Sequence, residues 1–78
     1  MNQEIFAKVR AVVAQELDID ESTVEPTSHF INDLGGDSID FVEFVMGLEE
    51  AFNLTIPDDE AETLFVMADV VAYIERRV

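Results

Sequence analysis

The chain has 78 residues, 49% of them apolar, no cysteine, and 18 acidic side chains against four basic ones, for a net charge of −14. This length makes one small domain over residues 1–78 and leaves little room for a deep catalytic cleft beside a core. The apolar content argues against disorder, the missing cysteine excludes disulfides and cysteine-ligated metals, and no run of about 18 apolar residues is present to cross a membrane. The acidity argues against nucleic acid and anionic lipid as partners and predicts attraction to basic protein surfaces. No basic-then-apolar leader opens the chain, so a cytoplasmic location is expected.

Taken in order, the chain reads as helices. Ile5, Val9, Val12, Val13 and Leu17 recur on one helical face, with Asn2 as the cap, and the pattern fades near Asp18. From Asp18 to Gly36 no period dominates, and turn formers such as Asp20, Ser22, Pro26, Ser28 and Asn32 predict a long loop. Val24, Phe30, Ile31 and Leu34 are its expected anchors, since loops of this length are functional or pinned by their own apolar residues.

A second helix is expected from Asp37 or Ser38 to Phe52, on the spacing of Phe41, Phe44, Val45, Leu48 and Phe52. Asn53 is its left-handed stop, and Gly47 inside it makes room for close packing or a ligand. Pro57 suits an extended segment or helix start, and a short helix follows over Asp58–Leu64. The last helix runs through Val66, Val70, Val71 and Ile74 towards Val78, with Arg76 and Arg77 in its final turn. The expectation is an all-α fold, a small four-helix bundle of three longer helices and one short one, with a long loop between the first two.

Three chemistries fail on spacing. A calcium loop starting at Asp18 puts Thr23 and His29, and one starting at Asp33 puts Ser38 and Phe44, where glycine and glutamate are required. A serine nucleophile elbow needs a second glycine where Asp40 stands, and the only histidine, His29, lies in the loop. Rossmann and P-loop glycine spacings are missing. No catalytic or metal-ligating residue is therefore expected. What remains is Asp33-Leu34-Gly35-Gly36-Asp37-Ser38-Ile39-Asp40: two glycines that free the backbone and leave space around Ser38 for another protein's active site, just before a helix whose N-terminus favours a phosphate on the Ser38 oxygen. The plainer alternative is a small acidic helical adaptor, or a degenerate chain that is never modified, in which Ser38 is only a helix cap.

The chain resembles acyl carrier proteins along essentially its whole length. The resemblance rests on Asn2–Val9, on the Asp33–Ser38 segment, on Val45-Met46-Gly47-Leu48-Glu49-Glu50-Ala51-Phe52, and on Ile56-Pro57-Asp58. It implies that Ser38 receives 4′-phosphopantetheine from coenzyme A through a separate phosphopantetheinyl transferase. The arm's thiol would carry acyl or aminoacyl groups as thioesters, for fatty-acid or polyketide and nonribosomal peptide synthesis. It also implies a monomeric carrier without enzymatic activity, meeting acyl-processing enzymes with basic surfaces through Asp37, Asp40, Glu43, Glu49 and Glu50 and through apolar Ile39, Val42 and Met46. Four residues depart from the pattern usual in fatty-acid synthesis. Gly36 stands for alanine, Ile39 for leucine, and Phe41 for a small residue one turn from Ser38, where it is expected to narrow the acyl entrance. Val66 replaces the threonine that opens the last helix. Valine cannot cap, so that helix is expected to begin frayed or displaced, with Phe65 over it.

Overall fold

The computed structural model describes residues 1–78 and is all-helical, with α1 over Gln3–Leu17, α2 over Ser38–Phe52, α3 over Asp58–Ala61 and α4 over Met67–Glu75. α1 packs against both α2 and α4. The expected bundle of three longer helices and one short one is therefore present.

Helix boundaries follow the local chemistry. The Asn2 carboxamide accepts from the amides of Glu4 and Ile5, and Asp18 ends α1 in the left-handed region at φ 54°. Asn53 ends α2 in the same way at φ 52°. α1 buries Ile5, Phe6, Val9, Val13 and Ala14, while Val12 and Leu17 from the predicted face are only half-buried against the core. Gly47 is a packing glycine: a Cβ there would lie 2.9 Å from Val12 Cγ1, so its absence lets α1 approach α2.

The long connection is pinned as expected, though not by all four anchors. Val24 and Phe30 are fully buried, Leu34 is half-buried and Ile31 is exposed. A short 3-10 turn at Glu21–Thr23 is capped by Asp20, whose carboxylate accepts from the Ser22 amide at 2.8 Å. Arg10 donates twice to the Val24 carbonyl, at 2.9 and 3.1 Å, and its guanidinium lies 4.6 Å from the Phe6 ring centroid. A cation from α1 thus ties the loop back onto the bundle and shields the ring beneath it.

Two sequence expectations need correction at the C-terminal end. α3 stops at Ala61 rather than Leu64, because the next amides turn tightly: Thr63 donates to the Glu60 carbonyl and Leu64 to that of Ala61. These i→i−3 bonds close the segment as a turn and bury Leu64. α4 ends at Glu75, so Arg76, Arg77 and an exposed Val78 lie beyond it.

The start of α4 is not frayed. Val66 gives no side-chain cap, but the amides of Met67 and Ala68 donate to the carbonyls of Ser28 (3.1 Å) and Pro26 (2.8 Å) in the long loop. An antiparallel bridge joins His29 to Val66, and the Phe30 amide donates to the Phe65 carbonyl at 2.7 Å. The orphan donors of a helix N-terminus are thus satisfied by distant backbone in place of a side chain.

Candidate functional site

The loop delivers Ser38 to a defined place. His29 organises its last turn: the imidazole Nδ1 accepts from the amides of Ile31 (3.2 Å) and Asn32 (3.1 Å). The Asp33 carboxylate accepts from the His29 amide at 2.7 Å. Two accepted bonds occupy the Nδ1 lone pair, so this nitrogen serves the turn as a backbone acceptor. Gly35 then turns the chain at φ +80°, a conformation that favours glycine, in open space.

Gly36 has a different role from the one read in the sequence. It is buried, and a Cβ on it would run into the Phe30 ring, 2.8 Å from Cδ1, 2.9 Å from Cζ and closer still to Cε1. Its amide donates to the Phe30 carbonyl at 3.0 Å. Gly36 therefore makes space for the protein's own aromatic core and not for an incoming partner.

Asp37, rather than Ser38, caps α2. Its carboxylate accepts from the Asp40 amide at 2.8 Å, and the Asp40 carboxylate accepts from the Asp37 amide at 3.0 Å. This reciprocal capping box leaves Ser38 as the first helical residue, exposed, with its hydroxyl uncommitted. The Ser38 and Ile39 amides precede the first intrahelical bond, which runs from Phe41 to the Asp37 carbonyl, and they face the helix entrance without a protein acceptor. A phosphate on the Ser38 oxygen would meet these donors and the positive end of a 15-residue helix.

Beside Ser38 lies a groove of about 570 Å³, predominantly apolar. α2 supplies Phe41, Val42, Val45 and Met46 to it, and the segment beyond Ile56 supplies Ala61 and Phe65. Phe41 is buried and stacked on Phe65, with centroids 4.3 Å apart and planes at 20°. Val45 and Ile56 were read in the sequence only as packing or register positions, and Ala61 was not singled out, because a residue that is half core and half groove wall has the same apolar spacing as one that is all core.

The exposed face of α2 joins the groove. Ile39, Val42 and Met46 are 73%, 59% and 58% exposed, an unusual outlay of large apolar side chains for so small a chain. Asp37, Glu43 and Glu50 are exposed among them, whereas Asp40 and Glu49 are half-buried. The structure divides the eight predicted partner-facing residues by duty. Asp37 and Asp40 are held in the capping box, and the Glu49 carboxylate accepts from the Ile56 amide at 2.7 Å, fastening the end of α2 to the following segment. Glu43 and Glu50 carry no such internal bond. All four basic residues lie elsewhere: Lys8 and Arg10 on α1, and Arg76 and Arg77 after α4. The single ion pair joins Arg77 to Glu60 at 2.9 Å, so the acidity of α2 is not neutralised from within.

No group of three or more His, Cys, Asp or Glu side chains is placed to hold a metal ion, and no helix is long and apolar enough to cross a membrane. Residues 7–74 match the family described as phosphopantetheine attachment site. The chain is 54% identical over 70 residues to a protein of Helicobacter hepaticus named acyl carrier protein, covering 90% of this chain and 92% of that one. It is 48% identical over 71 residues to a protein of Helicobacter pylori with the same name, covering 91% of each. An uncommitted serine opening α2, an apolar groove at its side and likeness across nine-tenths of the chain have one common account: the chain belongs to the acyl carrier protein family.

Proposed function

We propose that this protein carries acyl intermediates on a 4′-phosphopantetheine arm joined through a phosphodiester to Ser38, and performs no catalysis itself. The observation that carries the reading is the division of labour at the start of α2. Asp37 and Asp40 complete the cap between them, so Ser38 is not needed as a cap and its exposed hydroxyl is free for modification. When bound, the arm supplies a thiol, which this cysteine-free chain lacks, for thioester linkage.

The chain's own residues then have three tasks. The free amides of Ser38 and Ile39 and the helix dipole offset the phosphodiester charge beside Asp37. The groove walls of Phe41, Val45 and Ile56 offer apolar surface to the carried group. Ile39, Val42 and Met46 form an apolar ridge flanked by Glu43 and Glu50, and these meet a phosphopantetheinyl transferase and acyl-processing enzymes through basic surfaces. Each exposed charge pair contributes only about 1 kcal/mol or less, so the acids govern encounter rate and orientation more than affinity. The protein acts as a monomer in the cytoplasm, binding neither nucleic acid nor membrane.

Intact-mass measurement after incubation with coenzyme A and a broad-specificity phosphopantetheinyl transferase tests the reading. A phosphopantetheine-sized gain is expected in the wild type and not in Ser38→Ala. A folded Ser38→Ala that gains the same mass would move the site elsewhere, and no gain in the wild type with several transferases would leave the acidic adaptor. Ile39→Leu, compared in the same assay, reports whether the branched residue after the serine limits modification.

A further inference from the structure

Four phenylalanine rings run in contact from the core to the groove, with His29 backing the last of them. Phe44 stacks on Phe30 with centroids 5.1 Å apart, and Phe30 meets Phe41 edge-on at 5.2 Å. Phe41 stacks on Phe65 at 4.3 Å, and Phe65 stacks on His29 at 5.5 Å with planes only 5° apart. Phe30 and Phe44 are fully buried and Phe41 nearly so, so this end of the array cannot turn aside without repacking the core. His29 is held through its Nδ1 by two backbone amides, which fixes the ring behind Phe65.

Two of the rings form part of the groove wall. Phe41 and Phe65 line the groove, while Leu48, Leu64, Val70 and Ile74 are buried and line none of the molecule's cavities. A centroid separation of 4.3 Å is contact distance for stacked rings and leaves no gap for a methylene chain. The wall that α3 supplies is also tied. Ala61 on α3 lines the groove, and its neighbour Glu60 accepts from the Tyr73 hydroxyl at 2.6 Å and from Arg77 at 2.9 Å.

We propose that the Phe41–Phe65 pair is a closed aromatic gate that makes this protein a carrier for short acyl groups: a short chain on Ser38 is sheltered in the groove, and a long saturated chain is not admitted to the core and trails into solvent. The inference rests on the attachment reading for Ser38 and adds the class of cargo. His29 is a positioning residue in it, since it stacks on Phe65 and backs that half of the pair.

The test loads the wild-type protein with butyryl, octanoyl and dodecanoyl amide analogues of phosphopantetheine, with intact mass confirming each load. Absence of any load would overturn the attachment reading and this inference together. Once loaded, the forms are compared by melting temperature and by NMR contacts from the terminal methyl of the chain. In the wild type the melting-temperature increment should stop growing beyond the butyryl form, and the dodecanoyl methyl should show no contact with Leu48 or Leu64. Phe41→Leu should admit the longer chain, with contacts to Leu64 and a larger increment for dodecanoyl than for butyryl. Phe65→Leu, at a half-buried position tolerant of truncation, should do the same and serves if Phe41→Leu does not fold. Contacts to Leu64 in the loaded wild type would overturn the gate, as would exclusion that persists in the folded variants.

Discussion

Replacing Gly36 with alanine tests the packing logic of the attachment segment directly. Only Gly35 among the glycines has positive φ, so alanine can adopt the backbone of residue 36, and the loss of unfolded-state freedom favours it by about 0.4–1 kcal/mol. The space does not allow it. The new Cβ would lie 2.8 and 2.9 Å from two carbons of the Phe30 ring, where ordinary contact needs about 3.5–4.0 Å. The ring cannot retreat easily, since it is fully buried and held between Phe41 and Phe44 at 5.2 and 5.1 Å. Overpacking of this kind costs about 1–3 kcal/mol, and a clash with several atoms of a confined ring belongs in the upper half of that range. The net expectation is a loss of about 1–2 kcal/mol, a large share of the roughly 4–12 kcal/mol available to a chain of this size. Urea unfolding followed by circular dichroism measures it. Phe30→Leu should destabilise on its own, but combined with Gly36→Ala it should recover a coupling of about 1 kcal/mol, because the smaller side chain vacates the disputed space. A Gly36→Ala protein as stable as the wild type, or a double mutant whose losses simply add, would refute the claim that Phe30 dictates this glycine.

Asp37→Ala should cost about 1 kcal/mol by urea titration through loss of the cap, and Asp37→Asn should recover most of it, since the carboxamide oxygen can accept from the Asp40 amide. Burial, and next the hydrogen bond to Glu60, raise the Tyr73 phenol above its ordinary 10.0. The folded state therefore favours the neutral phenol, so its contribution is intact below pH 10.0 and declines as pH rises through the folded value. Thermal melts of the wild type across that alkaline range should show this decline, and Tyr73→Phe should lack that component. Glu43→Gln and Glu50→Gln should each slow association with a basic transferase at low salt by less than about tenfold, with the difference shrinking as salt approaches about 0.15 M. Stopped-flow association rates against ionic strength would show it, and a difference independent of salt would place the effect in packing instead.

Read alone, the chain showed most of the helical faces, the cap at Asn2, the left-handed stop at Asn53 and the place of Ser38 at a helix start, while the choice of Asp37 over Ser38 as the cap came from the capping box. These depend on neighbours within about four residues, and local backbone chemistry settles them. Partners far apart in the chain decided the rest. Val66 looked like a failed cap, yet the carbonyls of Ser28 and Pro26, some forty residues away in the chain, satisfy the start of α4. Gly36 looked like room for a partner, but the pressure on it comes from a ring that tertiary packing fixes above it. Asp40 and Glu49 looked like free surface acids until the capping box and the Ile56 amide claimed their carboxylates. The resemblance could suggest that Phe41 narrows an entrance, but only the fold brings Phe65 against it and His29 behind Phe65, because long-range packing of rings leaves no periodic trace in the chain.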